Sequence, residues 1–157
     1  MMVSLSGMLL LLLVGLLLIA SFWDIRYRRL PNWLAGATLL LGLAHLFAMT
    51  ASLGEAGSGL LHAGAALIVG MLLFRAALVG GGDAKFYAAV AAGVPIADGL
   101  RLLVYVSVSG LIAVVLWFVI RRILGKATSS KSDGDFAKFP LGVAIALGSL
   151  VNYGLSN

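Results

Sequence analysis

The chain carries six acidic residues, Asp24, Glu55, Asp83, Asp98, Asp133 and Asp135. Two of them stand apart. Asp24 ends one long apolar run and Asp83 precedes another. Acids at such a boundary are costly unless they pair, face a bundle interior or meet a water-filled cavity. Two carboxylates brought together make a known kind of catalyst. Like charges a few ångströms apart cannot both ionise easily, so the pair shares a proton. The ionised member takes a proton from water, and that water attacks a peptide carbonyl. The protonated member donates to the developing oxyanion or to the leaving amine. Because the two titrate as a pair, the sequence leaves open which aspartate holds the proton. The bland alternative is a pair of interfacial charges offset by Arg26 and Lys85. Two acids at matched depth, each inside an unusual local sequence, favour the functional reading.

Asp83 lies in Gly80-Gly81-Gly82-Asp83-Ala84-Lys85. Three glycines remove every Cβ from the backbone leading into the acid, which permits positive φ and close approach of another chain. A plain helix-to-helix turn would explain the glycines but not the acid beside them. Asp24 lies in Trp23-Asp24-Ile25-Arg26-Tyr27-Arg28-Arg29-Leu30-Pro31-Asn32-Trp33. Pro31 suits the first turn of a following helix, where its missing N–H costs nothing. Trp23, Tyr27 and Trp33 read as headgroup anchors. No other constellation competes. There is no cysteine, hence no disulfide, cysteine zinc site or thiol nucleophile. His45 and His62 lie outside metal-ligand spacing, so no metal or other cofactor is expected, and Gly80–Lys85 is not a P-loop.

The elements that position these acids follow from composition. Of 157 residues 62% are hydrophobic and 11% charged, and mean hydropathy is +1.10. A soluble domain is about 45–50% apolar and about 25% charged. A water-soluble fold, disorder and nucleic-acid binding are excluded, and the lipid bilayer becomes the partner. About 20 apolar residues span a bilayer. Six segments come near that length, at 3–23, 32–51, 58–79, 84–97, 100–120 and 139–155. The fourth is short, with Gly93 and Pro95 near its far end. With six crossings and both termini on the outer, periplasmic side, ten of the eleven basic residues fall inside and Arg101 alone outside. That is the bias of the positive-inside rule, and it accounts for the net charge of +5 without an acidic partner. The first segment has no Lys or Arg before it, so it reads as a retained helix rather than a cleaved signal. Residues 125–138 read as a flexible cytoplasmic loop. The fold class is all-α: one polytopic six-helix transmembrane bundle over 1–157. Asp24 and Asp83 then share one face of the membrane.

Three stretches resemble motifs of the bacterial prepilin peptidases. Gly80–Lys85 resembles their Gly-x-Gly-Asp-x-Lys motif. Asp24, with the basic residues after it and Leu30-Pro31-Asn32, resembles their first aspartate motif. Pro140-Leu141-Gly142-Val143-Ala144 resembles the Pro-x-Gly-x-Ala stretch of their last helix. The matches come in the family's order and span residues 24 to 146. The resemblance implies an aspartic endopeptidase that cleaves the basic leader of type IV prepilins at the cytoplasmic face of the bacterial inner membrane. It implies Asp24 and Asp83 as the catalytic pair, and Gly80 and Gly82, with Lys85 in the same motif, as shaping the loop that presents Asp83. Pro31, Asn32, Pro140 and Gly142 are the remaining motif positions. Longer members carry a cysteine zinc region and also methylate the new N-terminus. This chain has no cysteine and no room for that region between its first two helices. It therefore resembles the short tight-adherence (Flp, type IVb) kind, which is peptidase only. A prepilin, with basic leader and apolar helix, is the implied partner, alongside pilus-assembly machinery. Other readings are a preflagellin-type or other Gly-x-Gly-Asp membrane protease, a small transporter or proton-relay subunit, and a non-catalytic pilus-assembly scaffold. A relay would place an acid near the bilayer midplane, and a scaffold needs no boundary acids.

Overall fold

The computed structural model describes residues 4–123 and 141–156. The loop expected at 125–138, with Asp133, Asp135, Lys126, Lys131 and Lys138, lies outside the described residues, as does Pro140. Every element among the described residues is helical. In chain order they are α1 (Leu5–Tyr27), α2 (Asn32–Thr50), α3 (Leu53–Arg75), α4 (Gly81–Ala91), a 3-10 turn (Ile96–Asp98), α5 (Gly99–Ile123) and α6 (Leu141–Ser156).

α1 is apolar on all sides, as a helix surrounded by protein and lipid must be. It starts where the Ser4 hydroxyl accepts the Gly7 N–H at 3.2 Å. It ends at Arg28, which adopts the left-handed conformation with φ 53° and returns its N–H to the Asp24 carbonyl at 2.9 Å. Asp24 is therefore inside the last turn of α1 and not in the loop after it. Pro31 sits one position before α2, as its N-cap, rather than in the first turn. Only Arg28 to Pro31 separate the two helices, so they lie antiparallel and side by side.

α3 starts before the apolar segment at 58–79 because Ser52 caps it, accepting the Glu55 N–H at 3.3 Å. An acid in that first turn also suits the helix dipole. It ends at Arg75, and Ala77, with φ 57°, turns the chain back.

The short fourth segment is a helix of 11 residues. At about 1.5 Å per residue it rises about 16 Å, half the roughly 30 Å of a hydrocarbon core. It packs against α2, α3 and α6, and Phe86, Val90 and Ala91 are fully buried. Protein therefore shelters its short ladder, which lipid could not. α1, α2, α3 and the stretch Ile96–Ile120 are long and apolar enough to cross a membrane, and the apolar part of α6 is shorter. Leu11, Leu18, Phe22, Leu72, Leu111 and Leu116 are exposed, the outward surface expected of a membrane protein.

Leu13, Leu17 and Ala20 of α1, Leu34 of α2, the buried face of α4, and Ile145 and Ala146 of α6 form the core. Small residues let backbones approach. A Cβ on Gly148 would strike the Val106 backbone, which draws α6 against α5. At the end of the bundle away from Asp24, the Tyr153 hydroxyl donates to the Val90 carbonyl at 3.1 Å. It passes so close to Gly93 that a side chain there would collide with it. α3 and α5 share no extended packing, and a groove lies between them.

Candidate active site

Asp24 comes from the last turn of α1 and Asp83 from the first turn of α4. Both line one cavity of about 1280 Å³. Among the described residues neither forms an ion pair; Asp98 pairs with Arg101 at 3.6 Å, elsewhere on the molecule. Lys85 turns away from Asp83, and its Nζ donates to Asn32 Oδ1 at 3.3 Å. Residues two apart on a helix do not face each other. The interfacial-pair reading of the two acids therefore finds no support in the geometry.

Asp24 is 6% exposed, and the Gly142 N–H donates to its Oδ2 at 2.8 Å. The Val143 amide hydrogen-bonds the same carboxyl, and Arg28 adds a positive charge nearby. Gly142 and Val143 lie in the first turn of α6, whose amides have no intrahelical partner. Hydrogen bonds to a charged group contribute about 1.5–3 kcal/mol each, against about 0.3–1 kcal/mol for a helix end alone. Gly142 must be glycine for this contact, since a Cβ would stand 2.8 Å from Asp24 Oδ2 and 3.0 Å from Leu30 Cδ1.

Asp83 precedes the apolar part of α4 and lines the same cavity. Burial, and then the negative charge of Asp24, push its carboxyl up to about 6. Gly80 is the N-cap of α4, with φ −69° and ψ 142°. The glycine run therefore does not supply a left-handed turn; Ala77 does that. What Gly80 supplies is clearance, because a Cβ there would lie 2.6 Å from Asp83 Oδ2. Gly82 has a milder part: its Cβ would meet Leu30 at 3.6 Å.

The α1–α2 turn, the start of α4 and the start of α6 thus converge. Gly82 lies against Leu30, Lys85 bonds Asn32, and Gly142 reaches Asp24. Pro31 acts from a distance by setting the start of α2. Trp23 stacks near Tyr27 at 5.1 Å and meets Trp33 edge-on at 6.2 Å. This cluster adjoins Asp24 in sequence.

Residues 11–118 match the type IV leader peptidase family. The chain belongs to that family. No curated protein and no solved structure matches it. The family match indicates a protease of the prepilin leader peptidase kind, embedded in a membrane, with a prepilin as implied substrate. The matched leader peptidase region contains both aspartates and the glycine run but stops before α6.

Sequence reasoning missed the rest of this leader peptidase's cavity. Arg28, Tyr87 and Leu141 line its acidic end. Ala66, Val69, Gly70 and Leu73 of α3 face Leu103, Ser107, Gly110 and Val114 of α5 across the groove. A signal was present: these small and medium residues recur every three to four positions, on one face of each helix.

Proposed function

We propose that this protein is a membrane-embedded aspartic endopeptidase that removes the basic leader from type IV prepilins of the Flp kind. Asp24 and Asp83 are the catalytic pair. The observation that carries this reading is that two carboxylates from separate helices line one cavity, neither neutralised by an ion pair among the described residues, in a leader peptidase chain. Water in that cavity loses a proton to one carboxylate as it attacks the scissile carbonyl, and the other carboxyl protonates the carbonyl oxygen.

The groove between α3 and α5 suits the apolar helix that follows the cut. It opens between helices that are not packed together, is mostly apolar, and ends at the two acids. The substrate helix enters sideways from lipid, and its basic leader stays in water beside the carboxylates. The distribution of ten of eleven basic residues supports six crossings with both termini outside, and with them a cytoplasmic position for this end. The four-residue α1–α2 connection and the absence of cysteine support peptidase activity without methyl transfer.

The test is co-expression with a Flp-type prepilin, following leader loss by gel mobility. Asp24→Asn and Asp83→Asn each abolish cleavage while the protein stays in the membrane. Near-normal processing by either variant overturns the assignment.

A further inference from the structure

The two acids share a cavity but are held in unlike ways. Asp24 Oδ2 receives the Gly142 amide at 2.8 Å, and the Val143 amide also reaches that carboxyl. Both amides belong to the positive end of α6. Asp83 accepts no hydrogen bond and forms no ion pair among the described residues. Its own helix offers only a dipole, and the neighbouring Ala84 N–H is spent on the Gly80 carbonyl at 3.0 Å. Among the described residues, the charged and titratable groups that line the cavity are few: Asp24 from α1, Arg28 just after it, Asp83 and Tyr87 from α4, and His62 from α3. The described residues of α5 and α6 contribute none.

We propose that the first turn of α6 divides the labour between the two acids: the Gly142 and Val143 amides hold Asp24 as the ionised general base, so that Asp83 keeps the shared proton and acts as general acid. This rests on the peptidase reading above. The rise of the Asp83 carboxyl through burial and the Asp24 charge agrees with it. In the attack, the water oxygen bonds to the scissile carbon, one water proton passes to Asp24, and the Asp83 proton passes to the carbonyl oxygen. In the collapse, the C–N bond breaks with its electron pair on nitrogen. Nitrogen takes the proton from Asp24, and Asp83 recovers one from the gem-diol. The pair returns to its starting state, with Asp24 charged and Asp83 neutral. Gly142 is thus a positioning residue acting through its backbone, at a place where only glycine leaves room for the carboxylate.

The test reads protonation without substrate. The full chain, labelled with 13C at its aspartate carboxyls, is titrated by NMR in detergent micelles. It has five aspartates, and Asp24→Asn and Asp83→Asn each identify one signal by its loss. Asp24 ionises at lower pH than Asp83. Gly142→Ala pushes the carboxylate off the amides and moves the Asp24 titration upward by about 1–2 pH units. Asp83 ionising first overturns the proposal, as does an unmoved Asp24 in Gly142→Ala. If that variant does not fold, the order in the unaltered chain decides alone. The two readings fail separately. Processing by either Asn variant sinks the catalytic pair, whereas two inactive Asn variants with a reversed titration order sink only the role of α6.

Discussion

Gly80→Ala separates the clearance around Asp83 from the folding of α4. The new methyl carbon would stand 2.6 Å from Asp83 Oδ2, well inside the roughly 3.5–4.0 Å at which such atoms rest. The backbone at Gly80, φ −69° and ψ 142°, is open to any L-residue, so the chain itself is not strained. Gly is a better N-cap than Ala, but the difference is below about 1 kcal/mol. The carboxyl must therefore move, by about 1 Å, while the helix stays. A misplacement of about 1 Å at a reacting group costs on the order of 10²-fold, or about 2.7 kcal/mol of barrier. Leader cleavage should fall about 10- to 100-fold with membrane content unchanged. Gly81→Ala is the control. Its methyl would meet the Phe74 ring at 3.4 Å, an ordinary contact, so activity should stay within about threefold. Rates come from timed leader loss, normalised to enzyme in the membrane fraction. Equal rates for the two alanine variants would refute the claim that Gly80 exists to clear a place for Asp83.

Two further outcomes follow from the same geometry. Asp83 is raised to about 6 from an ordinary 3.8, so the folded chain binds more protons than the unfolded one between those values. Stability is then highest below about pH 4, falls as pH rises through 6, and is flat above. Asp83→Asn removes the penalty. It should stabilise by roughly 1–2 kcal/mol at pH 8, discounted for the solvent side of the carboxyl, and by nothing near pH 4. Thermal unfolding in detergent at the two pH values checks this, and equal gains at both would contradict it. Ser107→Phe fills the groove from α5, where Ser107 is exposed and lines the cavity. It should raise KM for a prepilin with little change in Tm, and unchanged cleavage kinetics would exclude the groove as the seat of the substrate helix.

The acids and the lipid-solvated helices were readable from residue types, for a physical reason. Charges are so few here that each must be placed, and two boundary carboxylates have no cheap resting place. The start of α3 was not readable from hydropathy, because Glu55 and Ser58 look like loop. A serine cap one residue before the helix holds that turn. The short fourth segment counts as a crossing in the sequence because the basic residues then fall on one side, not because of its apolar length. Its burial by α2, α3 and α6 is a tertiary fact. The glycine run suggested positive φ, but Ala77 takes that conformation and Gly80 works by clearance. A missing side chain looks alike in both cases until the neighbour it makes room for is seen.

The hardest residue to find from sequence was Gly142, and the reason bears on how the site works. A search for chemistry among side chains finds carboxylates, because they carry the charge. It does not find the backbone amides that decide how that charge is held. Gly142 has no side chain, stands 118 residues from Asp24, and entered only through its likeness to a motif. Yet its N–H is what makes the environments of the two acids unequal. A pair of equivalent carboxylates would share the proton evenly and offer water no fixed base. Placing a helix N-terminus on one of them, and lining the rest of the cavity with few charges, gives the pair a direction. That asymmetry needs α6 against α1, the packing that brings the Gly142 amide to Asp24. The proposed catalytic arrangement is therefore a property of helix packing, and the two aspartates are the part of it that residue type alone can reveal.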